Sequence, residues 1–139
     1  MAKHVFRGAQ VVINSVDLST YVSEVALSYN QNNPEATGVG DTTVDRVTGG
    51  LIDWSVTVTF FQDYSANGVE ATLFGLIGNA TKVDIELIPG TGTVAADNPR
   101  YHGRCVFNGY QPMGGSPGAV HSTGQATFSG AGTLTKDTS

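Results

Sequence analysis

Three histidines, one cysteine and two glycine-rich runs are the parts of this 139-residue chain with residue types suited to chemistry. Gly114-Gly115-Ser116-Pro117-Gly118 matches the G-x-S-x-G of a nucleophile elbow. That device needs a strand before the serine, a helix after it, and an N–H on the following residue to help bind an oxyanion. Residue 117 is a proline and has no N–H to donate, and no helical period follows, so a turn is expected. Gly90-Thr91-Gly92-Thr93-Val94-Ala95 matches a dinucleotide fingerprint, which works only when a helix N-terminus then points at the pyrophosphate. Asp97-Asn98-Pro99 instead favours a turn, so this run reads as a loop. His4, His102 and His121 each lack a second histidine or a carboxylate at metal-ligand spacing on their own element. Cys105 stands alone, so neither an intramolecular disulfide nor a cysteine-rich zinc site is expected, and a buried strand position suits it. Asp84 and Glu86 share one face of a strand, as a carboxylate pair would, although such a pair is more often a solvated face. Asn79-Ala80-Thr81 is a glycosylation sequon that matters only behind a secretory signal. Residues 1–7 carry charges and no apolar stretch, so no such signal is expected. No catalytic residue, cofactor or metal is expected, and the chain is not expected to be an enzyme.

The elements that must position these residues are mostly strands. Gly and Pro make up 23 residues, Thr 16 and Ser 10, against seven Lys plus Arg. Only 14% of residues are charged, well below the usual ~25%. The length fits one domain, 1–139, large enough to fold around its own core. No apolar run approaches the ~20 residues of a membrane helix, and no membrane partner is expected. The net charge of −5 and the scattered bases disfavour a protein that grips nucleic acid through its phosphates.

Alternation with period two predicts strands at 10–13, 16–19, 21–29, 51–61, 82–88, 101–110 and 125–134. Asn14-Ser15 suits a tight hairpin turn. In 51–61, Trp54, Val56, Val58 and Phe60 share one face and Ser55, Thr57 and Thr59 the other. The period changes at 65–77, where Val69, Leu73, Leu76 and Ile77 follow helical spacing. Ser65 or Asn67 is placed to cap this helix and Gly78 to end it. Trp54, Val56, Val58, Leu73 and Leu76 are the expected core. The fold class is mainly β, an antiparallel β-sandwich or barrel with one flanking α-helix. Three long connections, at about 30–43, 89–100 and 111–121, read as polar arms. Loops of this length in a small domain are usually functional or ordered by a partner.

Several runs, in order and nearly spanning the chain, resemble the tail tube (major tail) proteins of phages with long, non-contractile tails. Val12-Ile13-Asn14-Ser15-Val16-Asp17-Leu18-Ser19 resembles their opening hairpin. Gly40-Asp41-Thr42-Thr43 and Gly50-Leu51-Ile52-Asp53-Trp54-Ser55-Val56-Thr57-Val58 are similar to their centre, as is Phe61-Gln62-Asp63-Tyr64 leading into Val69-Glu70-Ala71-Thr72-Leu73-Phe74. Ala126-Thr127-Phe128-Ser129-Gly130-Ala131-Gly132 with Leu134-Thr135 is similar to their last strand. The resemblance implies a tail-tube-like fold and a structural role in the virion; with 139 residues, no additional Ig-like decoration domain is expected. Subunits of that family form hexameric rings that stack into a tube around a tape-measure protein, meet terminator and distal tail proteins at its ends, and conduct double-stranded DNA without binding it specifically. Assembly in the host bacterial cytoplasm is implied as well.

With that reading, an acidic lumen would repel DNA phosphates. The candidate lumen-facing acidic residues, chosen by sign and strand pattern, are Glu35, Asp41, Asp45, Asp84 and Glu86; each also suits an ordinary solvated loop or face. Edge strands would pair between subunits, and arm 30–43 would order on stacking against the adjacent ring. Two other readings stay open: another tail component of related fold, such as a terminator or distal tail protein, and a carbohydrate-binding β-sandwich module. The latter usually clusters exposed aromatics, whereas Tyr29, Tyr64, Tyr101 and Tyr110 are dispersed in the sequence.

Overall fold

Alternation of apolar and polar side chains makes this chain a sheet with one greasy face, and the computed structural model, which describes Phe6 and residues 8–139, shows how that face is closed. The strands are β1 (Gln10–Ile13), β2 (Val16–Asp17), β3 (Val22–Gln31), β4 (Ile52–Phe61), β5 (Val83–Ile88), β6 (Arg100–Gly109), β7 (Ser122–Gly130) and β8 (Thr135–Asp137). They form one antiparallel sheet of order β2-β1-β5-β6-β7-β4-β3, with β8 also paired to β6. Asn14 and Ser15 both have positive φ, 48° and 68°, the backbone that a two-residue hairpin needs to match strand twist.

The inner face carries Val11, Ile13, Trp54, Val56, Val58, Phe60, Val83, Ile85, Cys105, Ala126 and Phe128, all buried in one cluster. Their cross-strand partners set this register: Val56 lies between Leu27 and Phe128, and Val58 between Val25 and Ala126. Phe107 stacks on Phe128 with ring centroids 4.7 Å apart. Strands β3 and β5 stand far apart in the sheet order, yet Val25 and Leu27 of β3 share an opening with Leu87 and Ile88 of β5. The sheet therefore curls like a barrel whose last seam stays unpaired.

The helical segment is shorter than expected. Among the described residues a single α-helix, α1 (Val69–Leu73), continues into a 3-10 turn, Phe74–Leu76. Val69 and Leu73 are fully buried, Leu76 is half-buried against the core, and Ile77 is exposed. Neither Ser65 nor Asn67 caps the helix. Gly68 precedes it without a side-chain cap. Asn67 has φ 62°, and Ser65 is held by Asp63, which accepts its N–H at 3.1 Å and its hydroxyl at 2.7 Å. The Asp63 carbonyl also accepts the Glu70 N–H at 3.0 Å. A Cβ on Gly68 would lie 2.7 Å from Asp63 Oδ2, so the carboxylate fills the place where a larger residue would stand. Gly78, with φ 80°, ends the segment.

Two further expectations change. The span 16–19 divides into β2 and a 3-10 turn, Ser19–Tyr21, because Leu18 turns inward and is fully buried. The span 125–134 is not one strand: β7 ends at Gly130, residues 131–134 bulge, and β8 resumes along the same edge of β6.

Candidate assembly surface

Edge strands decide what a sheet can add to itself, because their outer N–H and C=O groups are unpaired. One end of this sheet is the two-residue β2; the other is the ten-residue β3, paired among the described residues along one side only, to β4. Strand β3 (Val-Ser-Glu-Val-Ala-Leu-Ser-Tyr-Asn-Gln) carries one charge, Glu24, and no proline. A register shift between Val22 and Glu24 is its main irregularity. The usual devices that keep an edge from pairing with another chain are therefore sparse.

The first arm is an extension of this edge. Asn30 and Gln31 belong to β3, so the arm covers residues 32–51 rather than 30–43. Its two stems are hydrogen-bonded to each other. Asn32 N–H donates to Leu51 O (2.9 Å), Val47 N–H to Pro34 O (2.8 Å) and Ala36 N–H to Asp45 O (2.9 Å), and Glu35 bridges Arg46. The tip is a turn in which Asp41 N–H reaches Gly38 O at 3.2 Å and Asp41 Oδ2 accepts the Gly38 N–H at 2.6 Å. Gly40 at its third position has φ 98°, which a type II turn requires. At the root, a Cβ on Gly50 would sit 1.9 Å from Asn32 O, so only glycine lets the two stems approach. Every residue from Asn30 to Gly49 is exposed. Val39, Val44 and Val47 are among the exposed apolar side chains.

The other two connections are held against the body. In residues 89–99, Asn98 Oδ1 accepts the Gly90 N–H (2.9 Å) and Asn98 Nδ2 donates to the carbonyls of Gly92 and Thr93 (both 3.1 Å). Gln10 Nε2 donates to Gly90 O and Gly92 O. This is a stitched turn, and strand β6 follows it. Residues 111–121 form a hairpin tip around Ser116, whose carbonyl accepts the Ala119 N–H at 3.0 Å; strand β7 follows.

Beside β3 the unpaired seam forms an apolar slot. Two adjoining openings, of about 530 and 180 Å³, share Leu27 and Tyr101. Tyr29, Leu134 and Lys136 line the larger one. No residue of the arm lines either opening. Tyr29 and Tyr101, far apart in sequence, thus meet here. Tyr64 and Tyr110 meet elsewhere: Tyr110 Oη donates to Glu70 Oε2 at 3.0 Å, Gln62 Nε2 bridges Glu70 Oε2 (3.2 Å) and Pro112 O (2.6 Å), and Tyr64 Oη also donates to Pro112 O (2.9 Å). Burial and the Glu70 carboxylate push the Tyr110 hydroxyl up to about 12. The four tyrosines are two pairs in space, not a dispersed set.

The five candidate carboxylates also separate into two groups. Glu35, Asp41 and Asp45 lie on the arm. Asp84 and Glu86 lie on the outer face of β5 and are matched by bases on β6: Asp84 Oδ1 is 3.2 Å from Arg104 Nε, and Glu86 Oε1 is 3.7 Å from Arg100 Nη1. The register Asp84↔Arg104 and Glu86↔His102 brings them there. Asp137 on β8 completes the cluster, 2.5 Å from Arg100 Nη2 and 2.9 Å from His102 Nε2. The His102 approach lacks hydrogen-bond geometry. The Arg100 hydrogen bond, with His102 beside it, holds the Asp137 carboxyl below the usual range. Sequence reading missed Asp137; its position two residues after Thr135, in alternation with Lys136, was the available signal. Overall, residues 22–61 hold five carboxylates (Glu24, Glu35, Asp41, Asp45, Asp53) and one base, Arg46, whereas on the β5–β6–β8 face three carboxylates (Asp84, Glu86, Asp137) stand against two arginines, Arg100 and Arg104.

His102 and His121 lie apart: His102 faces Asp137, and His121 packs edge-on to Tyr64 with centroids 6.2 Å apart. His4 lies outside the described residues. Among the described residues, no three His, Cys, Asp or Glu side chains are grouped to hold a metal, and no helix is long and apolar enough to cross a membrane.

No protein-family model matches this chain, and no curated protein matches it. Among solved structures, it is similar to a chain in the virion of a native gene transfer agent particle, with a TM-score of 0.74 and 12% identity over 96% of this chain and 98% of that one. It is also similar to a chain in the tail of an empty gene transfer agent particle, obtained by helical refinement with C6 symmetry. There the TM-score is 0.63 and the identity 15%, over 88% of this chain and 87% of that one. What is shared at these identities is the fold: mainly antiparallel β, with one short helix.

Proposed function

We propose that this chain is a non-enzymatic structural protein of a phage-type virion tail, which assembles with itself into hexameric rings stacked as a tail tube. The observation that carries this reading is the end-to-end likeness of fold to a virion chain, 96% of one covering 98% of the other. The likeness to a chain of a C6-symmetric tail supports six subunits per ring. The ten-residue unpaired edge of β3 supplies backbone groups for joining subunits,. The hydrogen-bonded arm at 32–51, with its exposed valines, supplies a second contact.

In this reading the tube belongs to a siphovirus-type tail, forms in the host bacterial cytoplasm around a tape-measure protein, and is closed by terminator and distal tail proteins. DNA passes through at ejection without specific binding. The acidic character suited to that passage resides in β3, β4 and the arm, where Glu35, Asp41 and Asp45 exceed the single Arg46. Asp84 and Glu86 contribute less, because Arg104 and Arg100 offset them,.

Negative-stain microscopy of the purified chain tests the proposal. Tubes of uniform width with six-fold ring averages are expected. Single rings that never stack would instead favour a terminator or distal tail protein, and particles of monomer size at every concentration would refute a tube role.

A further inference from the structure

Two asparagine–glycine pairs stand in this chain, Asn67-Gly68 and Asn108-Gly109, and one asparagine–serine pair, Asn14-Ser15. Such pairs can modify themselves, because a small following residue lets the next backbone nitrogen reach the side-chain amide carbon. The fold separates the three. Asn14 Oδ1 accepts the Asp84 N–H at 2.9 Å, which ties that hairpin turn to β5. Asn108 lies on β6, where its Nδ2 donates to Ser129 Oγ at 2.7 Å and Gly109 is paired with Thr127 of β7. Asn67 is exposed, on the turn between β4 and α1. Side-chain hydrogen bonds in that turn run from Ser65 to Asp63 and leave the Asn67 amide to water. The Gly68 N–H donates to Ser65 O at 3.1 Å, a bond that brief opening of an exposed turn releases.

We propose that Asn67-Gly68 is a self-modification site, at which the chain slowly converts asparagine to aspartate and isoaspartate and thereby loosens α1. The Gly68 amide gives its proton to hydroxide, and its nitrogen attacks Asn67 Cγ. The new N–Cγ bond closes a succinimide ring. The Cγ–Nδ2 bond breaks, and ammonia leaves with a proton from water, which regenerates the hydroxide. A second water then opens the ring at one of its two carbonyls. Cleavage of the N–Cγ bond leaves an aspartate. Cleavage between the nitrogen and the main-chain carbonyl carbon leaves an isoaspartate, whose backbone runs through the side chain and is one methylene longer. No oxidation or reduction is involved, and water is the one reactant consumed. The turn has little room for that methylene. A Cβ on Gly68 would already lie 2.7 Å from Asp63 Oδ2, and Val69 beside it is fully buried. Glu70 is tied to the same turn through the Asp63 carbonyl at 3.0 Å, and its carboxylate accepts from Tyr110 and from Gln62, which also holds Pro112 O. A displacement at residue 67 therefore reaches residues 69–73 and 110–112.

Peptide mapping by mass spectrometry tests this with the full chain, aged in mildly alkaline buffer. Isoaspartate is identified by its separate elution and by labelling with an isoaspartyl methyltransferase. In the folded chain Asn67 is expected to convert about tenfold faster than Asn108. In a chain unfolded with guanidinium chloride the two rates are expected to converge, because only the folded structure separates them. Faster conversion at Asn108 or Asn14, or an Asn67 that stays intact in the folded chain while reacting in the unfolded one, overturns the proposal. Hydrogen exchange reads the consequence: amides of 69–73 and 110–112 are expected to exchange faster in the aged chain than in the fresh one. Asn67→Gly accepts the φ of 62° and has no amide to react, so ageing is expected to leave its exchange unchanged. Asn67→Asp carries the charge without the longer backbone and is expected to stay near fresh wild type. Unchanged exchange in a chain shown to carry isoaspartate at 67, or equal loosening in Asn67→Asp, overturns the link to α1.

Discussion

The indole nitrogen of Trp54, on β4, donates a 2.9 Å hydrogen bond to the carbonyl oxygen of Gly132, in the bulge between β7 and β8. The ring reaches this acceptor by lying across two neighbouring strands at glycines. A Cβ on Gly130 would be 2.5 Å from Trp54 Nε1, and one on Gly103 would be 2.9 Å from Trp54 Cζ2. The bulge that ends β7 is thus anchored by the chain's one tryptophan. Gly130→Ala is expected to cost about 1–3 kcal/mol by overpacking. Trp54→Phe is expected to cost about 1–3 kcal/mol by leaving the Gly132 carbonyl without its partner. Urea unfolding measures both, followed by tryptophan fluorescence for the first and far-UV circular dichroism for the second. A Gly130→Ala chain as stable as wild type would contradict the packing described.

Leu73 and Leu76 sit one turn apart but differ in burial: Leu73 is fully enclosed and Leu76 only partly. Leu73→Ala is expected to cost about 2–5 kcal/mol, since it removes transfer energy and leaves a cavity. Leu76→Ala is expected to cost clearly less, because water can enter the space. Paired thermal melts show the ranking, and equal losses would mean that the helical segment packs differently.

Cys105 is fully buried, and desolvation, with Asp84 as a smaller cause, pushes its thiol from 9.0 up to about 12. Two outcomes are expected. The native chain resists a thiol reagent at pH 8 and reacts once unfolded. The folded-state pKa is raised, so the thiol's contribution to stability is fully present below pH 9.0 and is lost between about pH 9 and pH 12, where the unfolded thiol ionises and the folded one does not,. Stability measured against pH in wild type and Cys105→Ala separates this contribution from that of other groups.

The Asp137 carboxyl is depressed, chiefly by its hydrogen bond to Arg100. Its contribution is therefore present above the unfolded carboxylate value near 3.8 and is lost as pH falls through the lower folded value,. Hydrogen exchange at Thr135, Lys136 and Asp137 is expected to accelerate in Asp137→Asn at pH 6, as β8 loosens from β6. In wild type the same amides should lose protection only in acid. Equal protection in wild type and variant at pH 6 would show that backbone pairing alone holds β8.

The proposed acidic conduit makes a separable prediction for the arm. Glu35→Gln with Asp45→Asn is expected to leave tube formation intact while slowing DNA ejection from assembled particles, because like-charge repulsion inside the tube is reduced. Asp84→Asn with Glu86→Gln is expected to have a smaller effect, since arginines already offset those charges. An unchanged ejection rate after removal of Glu35 and Asp45 would count against a lumen role for the arm.

Local chemistry made much of this protein legible in its sequence. Alternation at Trp54, Val56, Val58 and Phe60 sorts inner from outer face without reference to other strands, because the pleat has a period of two. Asn14-Ser15 marks the first hairpin because few residues adopt positive φ in succession. The change of period at Val69 and Leu73 marks the helix for the same kind of reason. What only the tertiary structure decided depends on which strand lies beside which. Asp84 and Glu86 read as free carboxylates until the β5–β6 register sets Arg104 and Arg100 beside them. Tyr29 and Tyr101 read as dispersed until the sheet curls and brings β3 against β6 and β8. Strand β8 and its Asp137 were hidden in a continuous β pattern, because the bulge at 131–134 follows from the position of a tryptophan about 78 residues earlier,. Strand period is a property of neighbouring residues; register, curl and the fate of an edge are set by contacts between residues far apart in the chain.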